Sequence, residues 1–186
     1  MALLAACLWL AAPAMADKES LAARLTAQDK KAMLAVITEL YAAYQARSSQ
    51  RVMEIIEGAV EASAQEWQKS GRGSAQQIRE AFLAFHEDIF HHPQYRLKPL
   101  NTKHVVWEDG PGGTVVLASA VPMIATEPMT FTDNGTPVQV KLRLGRFTFS
   151  KAPRTRTRQA TSPEGEPTTT TEVLQGGWRL VRLDLF

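Results

Sequence analysis

Residues 74–93 read SAQQIREAFLAFHEDIFHHP, and they separate a helical half of the chain from a β half. Ser74 and Gln77 form the S-x-x-Q capping box that begins a helix. The apolar residues that follow are spaced four, three and four positions apart, which places them on one helical face: Ile78, Phe82, Phe85 and Ile89. Pro93 ends the helix, because the residue before a proline is pushed out of helical geometry.

The chain before this helix is also helical in its pattern. Apolar residues recur every three or four positions within Leu25–Arg47, and Thr26 with Asp29 predicts the N-cap of that helix. Residues 48–59 predict a shorter helix that a glycine stops, and residues 60–67 predict a short strand. Two helical segments and a short strand therefore precede the main helix.

After Pro93 the apolar residues alternate with polar ones, which is typical of strands with one buried face. Glycine-rich turns separate these segments, and Asn134-Gly135 predicts a tight hairpin. Helices first and strands afterwards predict an α+β fold with an antiparallel sheet of five or six strands. Residues 152–167, APRTRTRQATSPEGEP, either extend a hairpin or form a mobile basic loop.

Composition limits the classes of partner. The 186 residues include 45% hydrophobic ones, enough for a single globular domain with a proper core. The 21 basic and 19 acidic residues nearly balance, so no general field attracts nucleic acid or an anionic membrane. We expect no nucleic-acid partner and no cofactor, because no phosphate-binding loop, nucleophile elbow or dinucleotide fingerprint occurs.

The opening residues predict export. Residues 1–16 combine an apolar run with Ala14-Met15-Ala16, which fits a signal peptide cleaved after Ala16. The run is too short to span a membrane stably. We therefore expect a periplasmic or secreted domain over residues 17–186, without any cysteine to form disulfides or act as a nucleophile. The alternative is a lipoprotein attached at Cys7.

Four short segments resemble the NTF2-like superfamily, and more narrowly its SnoaL-like and DUF4440-type bacterial members. They are GRGSAQQIREAF (71–82), DNGTPVQV (133–140), GRFT (145–148) and GGWRLVR (176–182). The resemblance implies a cone, in which N-terminal helices pack into a strongly curved antiparallel sheet around a pocket. It also implies a homodimer. Members include isomerases and dehydratases as well as proteins that only bind ligands or assemble partners.

The resemblance leaves the reaction open. In many relatives a histidine follows a few residues after the tryptophan of the last strand. This chain has Arg182–Phe186 at that place. We therefore expect a domain that binds a small apolar or weakly anionic ligand, or an assembly module, without catalysis. The alternative is a small isomerase or dehydratase in which a pocket aspartate or histidine is the general base.

Three of the four histidines lie close together, at His86, His91 and His92. A helical zinc site of the H-E-x-x-H kind needs histidines four residues apart, and Phe90 occupies that position after His86. We expect no metal and interpret the last two histidines as a solvated helix end. His86 either faces the pocket as a base or is a buried histidine bonded to a neighbour.

Strand alternation adds further candidates for the pocket. In an unbroken strand Arg146 shares the core face with Leu144 and then needs an anion, either Asp184 or a substrate carboxylate. A bulge at the preceding glycine instead turns Phe147 inward and leaves Arg146 on the surface. Three aromatic residues are predicted as further ligand contacts, although Tyr44 also suits ordinary core packing: Tyr44, Phe85 and Trp178.

Overall fold

The structure is a computed structural model. It describes residues 20–71, 73–151, 154–161, 167–174 and 177–185, and of 154–161, 167–174 and 185 it describes the backbone. The predicted signal peptide, residues 1–16, lies outside the described residues. The helices are α1 (Ala27–Gln45), α2 (Ser49–Lys69) and α3 (Ala75–His91). The strands are β1 (Val105–Asp109), β2 (Val115–Ser119), β3 (Ile124–Ala125), β4 (Met129–Asp133), β5 (Thr136–Val140), β6 (Arg143–Ser150), β7 (Arg154–Thr161), β8 (Pro167–Leu174) and β9 (Arg179–Leu185).

Two helices begin at the predicted capping boxes. In α1 the Thr26 side chain accepts a hydrogen bond from the Asp29 backbone N–H, and the Asp29 carboxylate accepts one from the Thr26 backbone N–H. Ser74 and Gln77 do the same at the start of α3. That helix ends at His91, next to a residue with extended geometry before Pro93, as predicted. The caps satisfy amide groups that the first turn leaves without partners.

The predicted short strand over residues 60–67 is wrong, because α2 continues to Lys69. Its buried stripe passes from Val52 and Ile56 to Ala64 with helical spacing. Gly58, predicted as the stop, lies mid-helix against β9. A Cβ atom there would lie well inside van der Waals contact with the Leu180 carbonyl oxygen. The glycine therefore permits close helix–strand packing and does not end the helix.

The main sheet has five strands, and every strand pair that the structure describes is antiparallel. One edge of β6 pairs with β3 at Arg143 and Leu144 and with β2 from Arg146 to Phe149. The other edge of β6 pairs with β9. Strand β1 extends the sheet beyond β2. The predicted α+β class is confirmed. Two further hairpins, β4–β5 and β7–β8, add strands outside this sheet.

Strand β6 contains the irregularity that decides the position of Arg146. The register between β6 and β9 shifts between Leu144 and Arg146. Because of this bulge, Leu144, Phe147 and Phe149 are all fully buried, although unbroken alternation would separate the leucine from the phenylalanines. The prediction that Arg146 faces the core is therefore wrong. The strand instead has the bulge that was given as the alternative.

The basic segment forms paired strands. Arg154–Thr161 pairs with Pro167–Leu174, so the arginine–threonine repeat is part of a hairpin nested, in sequence, inside the β6–β9 pair. The turn residues 162–166 lie outside the described residues. At the other hairpin, Asn134 and Gly135 both have positive φ and close the predicted tight turn between β4 and β5.

One apolar core joins the helices and the main sheet. Helix α2 packs against α1, α3 and β9, which makes it the central helix of the layer. The largest fully buried side chains come from both layers: Met33, Ile37, Leu40, Tyr44, Ile56, Ile89, Leu117, Phe147 and Phe149. Tyr44 and His86, which were predicted as site residues, both lie within this core.

Candidate functional site

His86 lies inside a shell of aromatic rings. It belongs to the buried face of α3, and only 3% of its surface is exposed. Its ring centroid lies 5.4 Å from that of Phe85, 5.7 Å from Tyr44 and 6.0 Å from Phe90, and Phe82 stacks at 6.5 Å. The imidazole is therefore part of the packing between α1 and α3.

Both ring nitrogens of His86 are engaged. Nδ1 lies 2.7 Å from the Phe82 carbonyl oxygen, and a carbonyl can only accept, so Nδ1 carries the hydrogen. In the neutral ring Nε2 then holds a lone pair, which accepts the hydrogen of the Tyr44 hydroxyl across 2.8 Å. Burial lowers the pKa of His86 despite the opposing effect of the Phe82 carbonyl, so the neutral form is favoured.

Tyr44 continues the same chain of hydrogen bonds. Its carbonyl oxygen accepts from the Tyr95 hydroxyl at 2.9 Å. Burial raises the pKa of the Tyr44 hydroxyl far above its ordinary value, and burial likewise raises the pKa of Tyr95 to about 12. No buried side-chain nitrogen or oxygen of the described residues lacks a partner. This chain of hydrogen bonds, the Tyr44–His86 network, is closed.

The closed network involves two predicted site residues, Tyr44 and His86. A general base needs a free lone pair within reach of a substrate proton. The Nε2 lone pair of His86 is occupied by Tyr44, and both side chains are sealed in the core. Tyr44 and His86 form a hydrogen-bonded pair inside the core. For His86 this geometry matches the interpretation as a buried histidine bonded to a neighbour, and for Tyr44 it matches the interpretation as core packing.

Arg146 and Asp184 meet at the surface. The Nε atom of Arg146 lies 3.8 Å from an Asp184 carboxylate oxygen, and one of its terminal nitrogens lies 3.1 Å from Glu108. Arg182 Nε donates to the other Asp184 oxygen at 2.9 Å. The Arg146 and Asp184 side chains are 41% and 30% exposed. The predicted ion pair forms, but in contact with solvent.

The two remaining aromatic candidates are half-buried. Phe85 meets the His86 ring edge-on. Trp178 precedes β9, and its indole nitrogen donates to Asp29 Oδ1 at 2.8 Å, while Lys151 Nζ lies 3.1 Å from the same oxygen. Hydrogen bonds from Thr26, Trp178 and Lys151 hold the pKa of Asp29 well below its usual range. Trp178 thus ties the start of β9 to the N-terminus of α1.

A cleft opens between α2 and β9, one turn beyond the close contact at Gly58. We call it the α2–β9 cleft. Its volume is about 170 Å³. Its inner lining comes from three elements: Ala59, Ala62 and Ser63 from α2, Phe82 from α3, and Leu183 from β9. The small side chains on α2 leave the space, and Phe82 separates it from His86, on which that ring stacks.

The mouth of the α2–β9 cleft is charged. Glu66, Arg182 and Asp184 lie there, and Arg182 is bonded to Asp184. The carboxylate of Asp184 raises the pKa of Arg182, so that side chain stays cationic. An apolar floor below a polar mouth is the arrangement that orients a small ligand in one direction.

The histidine cluster does not form a metal site in the described part of the chain. No group of three or more His, Cys, Asp or Glu side chains there is placed to hold an ion. His91 Nδ1 bonds the Glu87 carbonyl at 2.8 Å, and His92 Nε2 bonds the Thr130 carbonyl at 3.1 Å. The His92 ring also contacts Phe131, with centroids 4.4 Å apart.

Sequence reasoning missed the α2 side of the cleft, because residues 60–67 were predicted as a strand. A usable signal was present. Gly58, Ala59, Ala62 and Ser63 are small residues at helical spacing, which is typical of a helix face that approaches a neighbour closely. Only the continuation of the helix brings these residues opposite Leu183 and Asp184.

Comparisons with known proteins add no assignment. The chain matches no protein-family model, and neither the curated proteins nor the solved structures contain a significant match to it. Within the described residues, every helix is too short or too polar to cross a membrane. Membership of the NTF2-like superfamily therefore remains a proposal.

Proposed function

We propose that this chain is an exported, non-catalytic ligand-binding module of the NTF2-like kind, with its ligand in the α2–β9 cleft. The observation that carries the proposal is the closed Tyr44–His86 network. In this network the Nε2 lone pair of His86, a candidate base, accepts from Tyr44 and is buried, while the neighbouring cleft is open to solvent. Binding needs such a space, and base catalysis needs a free lone pair beside it.

The order of elements supports the NTF2-like part of the proposal. Three helices precede an antiparallel sheet, and α2 packs on β9 of that sheet. In the cone that the resemblance implies, a ligand lies between helices and sheet. The α2–β9 cleft has this position, because α2 and α3 form one wall and β9 the other.

The cleft limits the size and polarity of the ligand. A volume of about 170 Å³ is close to the ~150 Å³ cavity that holds benzene in another protein. Phe82 and Leu183 would contact an apolar body the size of one ring. Arg182, partly neutralised by Asp184, would face a neutral or weakly anionic group at the mouth. We infer a small, mainly apolar ligand with one polar end.

The isomerase or dehydratase alternative meets a geometric difficulty. Such a reaction needs a base and an oxyanion donor directed at one point. Tyr44 and His86 are directed at each other, while Arg146 is directed at Glu108 and Asp184. Asp184 is the candidate base that reaches the cleft, and both its oxygens lie near arginines.

Native mass spectrometry of the protein purified from the periplasm of its own host tests the proposal. The protein should have lost residues 1–16 and should carry a small molecule that mild denaturation releases. The same spectrum reads the mass of the assembly and so tests the homodimer. A retained signal peptide would contradict export.

A matched pair of variants localises the ligand in the same experiment. Ala62→Leu places a larger side chain in the α2–β9 cleft, and Ala35→Leu places one on an exposed position of α1. The cleft variant should lose the retained molecule, and the α1 variant should keep it. Equal retention by both variants would exclude the cleft as the site.

A further inference from the structure

We propose that a second groove, beside β3, binds small anionic amphiphiles, which carry one carboxylate or phosphate on an apolar body. We call it the β3 groove. Its volume is about 510 Å³, within the range of about 300–1,000 Å³ typical of small-molecule sites. It shares no lining residue with the α2–β9 cleft, so this proposal stands apart from the proposed function.

Backbone pairing arranges the floor of the β3 groove. The Lys98 amide donates to the Ala125 carbonyl at 2.8 Å, and Ala125 pairs with Arg143 on β6. Residues paired directly across strands share one face of a sheet. Lys98, Ala125 and Arg143 therefore form one row across three adjacent segments. The small Ala125 side chain leaves space between Lys98 and Arg143.

The groove has an excess of positive charge. Lys141 lies two residues before Arg143 and shares its face, while Leu142 between them is buried. Among the described residues that line the groove, Glu127 is the one acidic side chain, and it pairs with Lys98 at 3.2 Å. No carboxylate of the described residues lies within ion-pair distance of Lys141 or Arg143. Two cations are thus available to an anion.

Part of the wall of the β3 groove is apolar, beside the polar side chains of Asn101 and Thr126. Val121, Pro122 and Pro128 line it, and Val121 is 47% exposed to solvent. An inorganic ion would use the cations and leave these walls bare. A molecule with an apolar body would cover them and remove their surface from water, which favours binding. An arginine presents paired donors that match a carboxylate or phosphate, so Arg143 would hold the charged end.

A titration of the mature protein with eight-carbon probes, followed by amide chemical shifts, tests this proposal. Octanoate and octyl phosphate should move the amides of the non-proline residues in 97–101, 121–127 and 141–144. Octylamine should leave them unchanged, because it carries the wrong charge. Stronger binding of one of the two anions would identify the head group. Acetate and inorganic phosphate should bind more weakly, since they lack the apolar body.

Variants separate a specific site from general attraction. Arg143→Gln and Lys141→Gln should each weaken octanoate binding about tenfold, the loss expected for one charge-assisted hydrogen bond. Lys31→Gln removes a cation from exposed α1 and should have no effect. Ala125→Leu keeps every charge but fills the floor, and it should also weaken binding.

Three results would overturn the proposal. One is equal binding of octylamine and octanoate, which would remove the role of charge. Another is equal binding of acetate and octanoate, which would remove the role of the apolar walls. The third is octanoate shifts confined to the α2–β9 cleft, which would support the proposed function while refuting the second site.

Discussion

At the scale of single residues, the buried pair Tyr44 and His86 explains how polar groups lie in this core. The tyrosine donates to Nε2, and the histidine donates to the Phe82 carbonyl, so each buried atom has a partner. A buried polar atom that loses its partner keeps the cost of leaving water. The two residues are 42 positions apart, which is why sequence alone left both roles of His86 open.

Removing the Tyr44 hydroxyl should destabilise the protein. Tyr44→Phe keeps the ring but leaves His86 Nε2 buried without a donor, at a cost of about 1–3 kcal/mol. Urea denaturation at neutral pH measures the change in the free energy of unfolding. Tyr41→Phe removes a hydroxyl from a half-buried tyrosine of the same helix and is the control. Equal losses in the two variants would contradict the network.

Stability should also fall with acid through His86. Its pKa in the folded protein lies below the ordinary value of 6.5. Below that value the unfolded chain binds a proton that the folded chain resists, so stability decreases as pH falls from 6.5 towards the lowered pKa. Above pH 6.5 this group adds no pH dependence.

The variant His86→Gln isolates this contribution. It should be less stable than the natural protein at pH 7, and its stability should change less between pH 6.5 and the onset of carboxylate titration. His91→Gln, at an exposed position of the same helix, is the control variant. Denaturation midpoints across this pH range provide the comparison. A slope unaffected by His86→Gln would show that His86 is not buried in its neutral form.

At the scale of elements, helix α2 shows where local pattern failed. Gly58 is a poor helix former and was taken as a stop, although the alanines that follow it favour a helix and contact with β9 fits the glycine. The other two helices were predicted well, because capping boxes and regular apolar spacing are local features. The bulge in β6 was foreseen as an alternative at Gly145, but its choice depends on pairing with β9.

Gly58→Ala tests the packing of α2 on β9. Alanine favours an isolated helix over glycine by about 1 kcal/mol. Here the added methyl group meets the Leu180 backbone carbonyl, which cannot move aside as a side chain can. Overpacking typically costs about 1–3 kcal/mol, so we expect a lower melting temperature.

Gln65→Ala is the matched control for that variant. It improves helix propensity at an exposed position of α2 and should leave the melting temperature unchanged or slightly higher. A rise in melting temperature for Gly58→Ala of the same size would contradict the close approach of the helix to β9.

At the scale of the whole molecule, sequence predicted the α+β class and the change from helices to strands near Pro93. It did not predict the clefts. The α2–β9 cleft and the β3 groove each combine residues from three separate parts of the chain. The positions of these residues in the sequence do not indicate that they lie close together in the fold. The predicted pocket residues Tyr44 and His86 instead fill the core.

The central claim is that the α2–β9 cleft binds a ligand while His86 stays uninvolved. One titration of the ¹⁵N-labelled protein over residues 17–186 with phenol, a ring-sized probe with one polar end, tests both parts. Amides of residues 59–66 and 181–184 should shift, while the side-chain nitrogens of His86 keep the pattern of a neutral ring protonated at Nδ1. Shifted His86 nitrogens, with unmoved amides along α2 and β9, would contradict the account.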